Sequence, residues 1–365
     1  MTRQEADVSG DVPGDAPGDV ADDAAARLAA LLDQRLGPYC SFNPVTRTQV
    51  WQWCSAMGEQ SPLYLDCEYQ AATEFAGMGA VAPPAMLQMW TMRDFNEQYA
   101  PGSTAEHPYP VMKELESLGF PANVAVSYDL QFKRYLVEGD RVQHYKTVLN
   151  ISELKSTSLG EGHFFTDRME YLDQAGDTVA EALITYFQYR PRAAAAGASH
   201  KREPVARSEA ASLAGASSGA DDVSVSLDDV SLAIGSPLPE LRIPITHKLV
   251  VGGALATQDF IPVHHSVPAA QAAGMPDIFM NILTSCGLAA RYLSDCAGPA
   301  SRLQRLQLSL QAPNMPGDVM TLSGQVSDIQ ERDSTRHLTL DFSGSNGIGL
   351  HLAGSAVLEM AQAAS

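Results

Sequence analysis

The chain has 365 residues, of which 43 are acidic and 24 basic, giving a net charge of −19 at neutral pH. Nothing resembles the basic face that a nucleic-acid binder needs to displace counterions, and no apolar run approaches the ~20 residues of a membrane span. Apolar residues make up 45% of the chain, enough for real cores, and the length favours two domains of roughly 150 residues each.

Residues 1–24 come first, with repeated Gly, Pro and Ala and acidic side chains from Glu5 to Asp23 opposed by a single Arg, a composition that predicts a disordered tail. The tail has neither a charged segment leading into an apolar core nor an Arg-rich transit character, so a cytoplasmic location is expected. A first unit spans residues 25–192. In it, Pro83 to Tyr99 predicts a helix, with proline at its start and Met86, Met89 and Trp90 at helical spacing. Strands are predicted at Asn123 to Leu136, Arg141 to Leu154, Gly162 to Leu172 and Thr178 to Tyr189, from their β-branched and aromatic residues and the Gly-Asp turns between them.

Residues 193–222, rich in Ala, Gly and Ser and free of aromatics, predict a flexible linker. A second unit, residues 223–365, repeats the order of elements. Asp277 to Ala297 predicts the helix, and Leu303 to Leu310, Val319 to Ile329, Thr335 to Ser343 and Ile348 to Met360 predict the strands. A long apolar helix followed by an antiparallel meander implies a sheet wrapped around a buried helix. The expected fold class is therefore α+β, two tandem hot-dog domains. Internal register supports a duplication. Glu138-Gly139-Asp140 matches Pro316-Gly317-Asp318, and the segment Glu59 to Tyr64 lies 200 positions before Asp259 to His264. The five cysteines contain no CxxC pair, which argues against a disulfide framework or a thiolate metal site and predicts mainly buried thiols; no metal site is expected.

Around Pro262 the second unit sets a carboxylate, Asp259, and an imidazole, His264, in a segment where a helix cannot run, so a turn should present both to one side. This Asp-x-x-Pro-x-His string resembles the signature of the (R)-specific enoyl-CoA hydratases, the MaoC-like dehydratases. The resemblance continues through Ala269-Ala270, Gly274 and Ile278 to Thr284, and in the first unit through Ser61 to Tyr64 and Val81 to Pro84. It is especially marked to the actinobacterial hydratases of steroid side-chain β-oxidation, through Asp277-Ile278-Phe279, Asn281 to Thr284, Gly287-Leu288 and Arg291-Tyr292. In that family the two hot dogs are separate polypeptides, whereas here they would be fused.

The resemblance implies hydration of a bulky 2-enoyl thioester, or the reverse dehydration, with Asp259 and His264 holding the catalytic water. It also implies an oxyanion and substrate-positioning role at the helix entrance, Asn281 and Ile282, where the wider family often has His-Gly. No cofactor is expected beyond the CoA or phosphopantetheine of the substrate. In the first unit Glu59 and Tyr64 stand where the dyad would be, and a tyrosine hydroxyl does not readily take a proton from water near neutral pH, so this half is read as inert. It is expected to shape the substrate channel through Pro83, Pro84, Met86 and Met89, residues that could equally be plain core. His265 is read as structural, and Lys133, Arg134 and Lys146 as solvated surface more readily than as contacts to CoA phosphates. Two other readings remain open: a dehydratase or isomerase of carrier-protein-bound intermediates, with acyl carrier protein as partner, and a non-catalytic thioester-binding scaffold. A homo-oligomer of the fused chain is compatible with each.

Overall fold

The computed structural model describes residues 24–192, 233–332 and 335–361. The tail expected before residue 24 and the linker expected over residues 193–222 lie outside the described residues.

Among the described residues eleven strands form one antiparallel sheet. The first half supplies β1 (Arg35–Cys40), β2 (Ala122–Phe132), β3 (Gln143–Ile151), the short β4 (Lys155–Ser156), β5 (Gly160–Leu172) and β6 (Thr178–Pro191). The second supplies β7 (Pro237–Ile245), β8 (Ser301–Leu310), β9 (Asp318–Arg332), β10 (Thr335–Ser345) and β11 (Leu350–Ala361). Their order, β1-β3-β5-β6-β2-β8-β11-β10-β9-β7 with β4 on β5, reads the same from either end outward to the centre. The two hot dogs are therefore related by an approximate twofold at the β2–β8 seam, where Tyr128 lies opposite Leu308. Asp129 clamps Arg305 across that seam with hydrogen bonds of 2.9 and 2.6 Å. All eight strands expected from the sequence are present, with ends shifted by a few residues.

The helices that position the site are α1 (Arg47–Met57), α2 (Pro110–Ser117), α3 (His247–Ala256) and α4 (Ile282–Ala297). Helix α4 fills the second hot dog, and α1 and α3 pack on each other across the approximate twofold. Two glycines let the helices approach. A Cβ on Gly287 of α4 would meet Trp53 of α1 at 2.9 Å, and one on Gly253 of α3 would collide with Thr284 of α4. Trp53, Met57, Leu288 and Leu293 thereby join one apolar core that runs through both halves. Each such side chain contributes roughly 1.5–3 kcal/mol by leaving water.

The first hot dog departs from the expectation of a helix from Pro83 to Tyr99. Only Pro84–Thr91 is helical, as a tight 3-10 segment of 8 residues, all buried. The chain turns just beyond it because the Asp94 carboxylate accepts the N–H groups of Asn96 and Gln98, both at 2.9 Å. Lys146 also differs from the expectation of a solvated side chain: it is 2% exposed and pairs with Asp167 inside the sheet. Among the cysteines, Cys54, Cys286 and Cys296 are buried as expected, whereas Cys67 is exposed. Among the described residues no helix is long and apolar enough to cross a membrane.

Candidate active site

Helix α3 begins with Thr246, whose hydroxyl accepts the Leu249 N–H, and turns Val250, Gly253 and Ala254 inward. It ends where Thr257 donates its hydroxyl to the Gly253 carbonyl at 2.8 Å. Gln258 then adopts a left-handed conformation, φ 54°, which swings the chain so that Asp259 N–H returns to the Ala254 carbonyl at 2.9 Å. The turn expected around Pro262 is a 3-10 segment, Pro262–His264. It brings Asp259 and His264 together with both side chains only 8% exposed.

His264 Nδ1 lies 2.8 Å from the Phe279 carbonyl, which can only accept, so Nδ1 carries the proton there. Nε2 then faces Asp259 Oδ2, 3.6 Å away. That spacing is too long for a direct hydrogen bond, and a water about 2.8 Å from each atom would bridge them from one side of the line that joins them.

Asn281 holds the carboxylate. Its amide donates to Asp259 Oδ2 and to Thr257 Oγ1, both at 2.9 Å, while its own oxygen accepts the Thr284 N–H at 2.8 Å as the N-cap of α4. The side chain expected to position substrate is thus fully engaged with Thr257, Asp259 and Thr284. What remains at the helix entrance is backbone: the N–H groups of Ile282 and Leu283, the first in α4, have no partner within the helix and lie at its positive end. One turn further in, Ser285 bonds to His351 Nε2 at 2.9 Å, and burial lowers the His351 pKa, keeping the ring neutral. Thr257, Phe279, Ser285 and His351 were missed from sequence. Of these, Thr257 adjoins Gln258-Asp259 and Phe279 lies in the Asp277-Ile278-Phe279 string, whereas Ser285 and His351 gave no signal.

His265 hydrogen-bonds the Phe260 carbonyl at 3.0 Å from an exposed position, as expected of a structural residue. In the first half Glu59 and Tyr64 are buried at 3% and 5% exposure. Burial raises the Glu59 pKa to about 7 against the opposing bond from Ser61 N–H, and pushes Tyr64 well above its ordinary value. A cleft of about 620 Å³, which neither of the two lines, is bounded by Phe75, Met78, Tyr135 and Arg302, and Glu74 neutralises Arg302 through bonds of 2.6 and 3.0 Å. Pro83, Pro84, Met86 and Met89 are buried, and both methionines belong to the continuous core. Arg134 binds Asp140 and Asp173, each at 2.7 Å, and Lys133 approaches Glu181 at 3.9 Å.

Comparison with known proteins agrees with this architecture. A family model described as the FAS1-like dehydratase domain region matches residues 41–182. The beta subunit of 3-oxo-4,17-pregnadiene-20-carboxyl-CoA hydratase from Mycobacterium tuberculosis is 38% identical over 127 residues, 35% of this chain and 95% of that one. A probable enoyl-CoA hydratase alpha subunit from Thermomonospora curvata is 37% identical over 171 residues, 46% of this chain and 52% of the subunit, so the chain spans about half the length of that relative. Among solved structures, a MaoC-like dehydratase superposes with a TM-score of 0.65 at 17% identity, covering 92% of this chain and 100% of that one. A double-hotdog protein from Mycobacterium tuberculosis superposes with a TM-score of 0.56 at 14% identity, over 91% of this chain and 98% of that one. A near-complete match to a hydratase subunit, carried on two hot dogs joined in one sheet, means that the chain belongs to the MaoC-like hydratase/dehydratase family.

Proposed function

We propose that this chain hydrates a bulky 2-enoyl-CoA to the (R)-3-hydroxyacyl-CoA, and catalyses the reverse dehydration, at Asp259 and His264. The observation that carries this reading is the 3.6 Å approach of an imidazole nitrogen to a carboxylate oxygen, each fixed from behind by Phe279 or Asn281. A water bridging the two side chains gives its oxygen to C3 of the enoyl group. The displaced π electrons move onto the thioester oxygen, which the Ile282 and Leu283 N–H groups receive. The pair removes one water proton and delivers a proton to C2 on the same face, so one water is added and nothing else is consumed. The bulky acyl group is inferred from relatives named for a steroid-like CoA thioester.

The experiment incubates purified protein with 2-enoyl-CoA thioesters from crotonyl to polycyclic and follows loss of the conjugated absorbance. Hydration of the bulky members, lowered at least about a hundredfold by Asp259→Asn, supports the reading. Equal rates for the variant and the wild type would place the chemistry elsewhere.

A further inference from the structure

The inner face of the first half of the sheet carries a charge pair that the second half lacks. Counted from the shared turns Gly139-Asp140 and Gly317-Asp318, the inward-facing His144, Lys146 and Val148 correspond to Leu322, Gly324 and Val326. The residue opposite Val148 on the next strand is Asp167, and the residue opposite Val326 is Leu340. Glycine and leucine therefore stand where the first half has lysine and aspartate.

The pair is sealed and incompletely bonded. Lys146 Nζ meets Asp167 Oδ2 at 2.6 Å with side chains 3% and 1% exposed. Asp167 Oδ1 has no hydrogen-bond partner, and the ammonium otherwise faces the ring of Tyr109 at 3.7 Å. Desolvating two charges costs several kcal/mol, which their attraction offsets only when the remaining donors and acceptors are also met. A pair in this state is a poor exchange for Gly and Leu on packing grounds alone.

Its surroundings suit a ligand. The Tyr109 hydroxyl feels the charges of both Asp167 and Asp259, so one residue stands within electrostatic reach of the buried pair and of the dyad. Tyr186 and Tyr171 add flat aromatic surface nearby, and Tyr186 meets Tyr109 edge to face at 6.2 Å. The 3-10 segment Pro84–Thr91 has 8 residues against 16 in α4, its counterpart in the second half.

We infer that Lys146 and Asp167 recognise an oxygen at the far end of the acyl group, a carbonyl that accepts from the lysine or a hydroxyl that also donates to Asp167 Oδ1. Tyr109 covers the ammonium and is the ring such a ligand displaces. The inference rests on the hydration reading above and narrows it: the preferred substrate is an apolar, ring-bearing enoyl-CoA with a distal oxygen, not a plain hydrocarbon.

Three enoyl-CoA thioesters of one polycyclic skeleton test it, bearing a carbonyl, a hydroxyl or a methylene at the distal position. Wild-type protein should favour at least one oxygen-bearing member by about tenfold or more in kcat/KM, mostly through KM, and Lys146→Met/Asp167→Leu should shrink that ratio to within about twofold. A wild-type ratio near one, or a ratio that survives the double substitution, overturns the inference. If wild-type protein hydrates none of the three, the hydration reading fails instead. Calorimetric binding of the same thioesters to Asp259→Asn protein then decides the recognition step separately by the same tenfold criterion. Should the double variant not fold, Lys146→Gln is measured in its place, and retention of the preference counts against the proposal.

Discussion

Gly58 and Gln258 end equivalent helices in the same left-handed conformation, φ 68° and 54°, and each is followed at once by the carboxylate of its half, Glu59 or Asp259. The duplication kept the turn that aims the acid and let the residue at its hinge diverge. Glycine adopts this conformation freely, whereas a residue with a Cβ is strained there by roughly 1–2 kcal/mol. Gln258→Gly should therefore hold or raise stability, by at most about 1 kcal/mol once the greater freedom of the unfolded glycine is counted. Gly58→Ala should cost about 1–2 kcal/mol, since its Cβ would also press on the Arg291 guanidinium at 2.6 Å. Urea denaturation of the two variants checks the opposite signs.

Asn281 caps α4 and orients Asp259 with different atoms, so the two duties can be separated. Asn281→Ser keeps an N-cap oxygen but gives up the bond to Asp259, and should leave stability within about 1 kcal/mol while lowering kcat by about tenfold or more with little change in KM. Asn281→Ala should lower both. A kcat unaffected by the serine variant would mean that Asp259 keeps its orientation without the amide.

For the dyad, Asp259→Asn and His264→Ala should each remove most of the hydration rate, and the double variant should be little worse than either single one. That pattern is expected when two groups act on one water. Additive losses in steady-state kinetics would instead assign the residues to separate steps.

Glu59 gives the pH dependence of stability a direction. Burial lifts its pKa from 4.5 to about 7, so the folded state holds the proton more tightly than the unfolded one. Its favourable contribution is present below about pH 4.5 and is lost as pH rises through 7, amounting to about 3 kcal/mol at ~1.36 kcal/mol per pH unit. Glu59→Gln, neutral at every pH, should gain on wild type in denaturation midpoint between pH 5 and pH 8. A constant difference across that range would show that the carboxylate is not desolvated.

Most of the fold was legible because duplication wrote it twice. The Gly-Asp turns and the 200-position offset between Glu59 and Asp259 set one half against the other, and alternating β-branched and aromatic residues marked the inner strands. The edge strands β1 and β7 escaped because prolines interrupt them, and α3 escaped because Gly252, Gly253 and Ala254 make a weak helical pattern. That Asp259 and His264 come together was readable from their spacing around Pro262. The duty of Asn281 was not, because it depends on Thr257 and Asp259 meeting the start of α4 from 24 and 22 positions away. Lys146 reads as surface on any strand until Asp167 is known to sit beside it.

An open sheet of this length has two margins where further chains could add, and here both are blunted. Along β1 two groups are already taken, with Thr104 N–H on the Pro38 carbonyl at 2.8 Å and Cys40 N–H on the Ser103 hydroxyl at 2.9 Å. Along β7, Pro237, Pro239 and Pro244 remove three of the donors that an added strand would need. Each margin therefore offers an incoming strand a broken row of partners, which weakens edge-to-edge pairing with another copy of the chain or with an extended peptide.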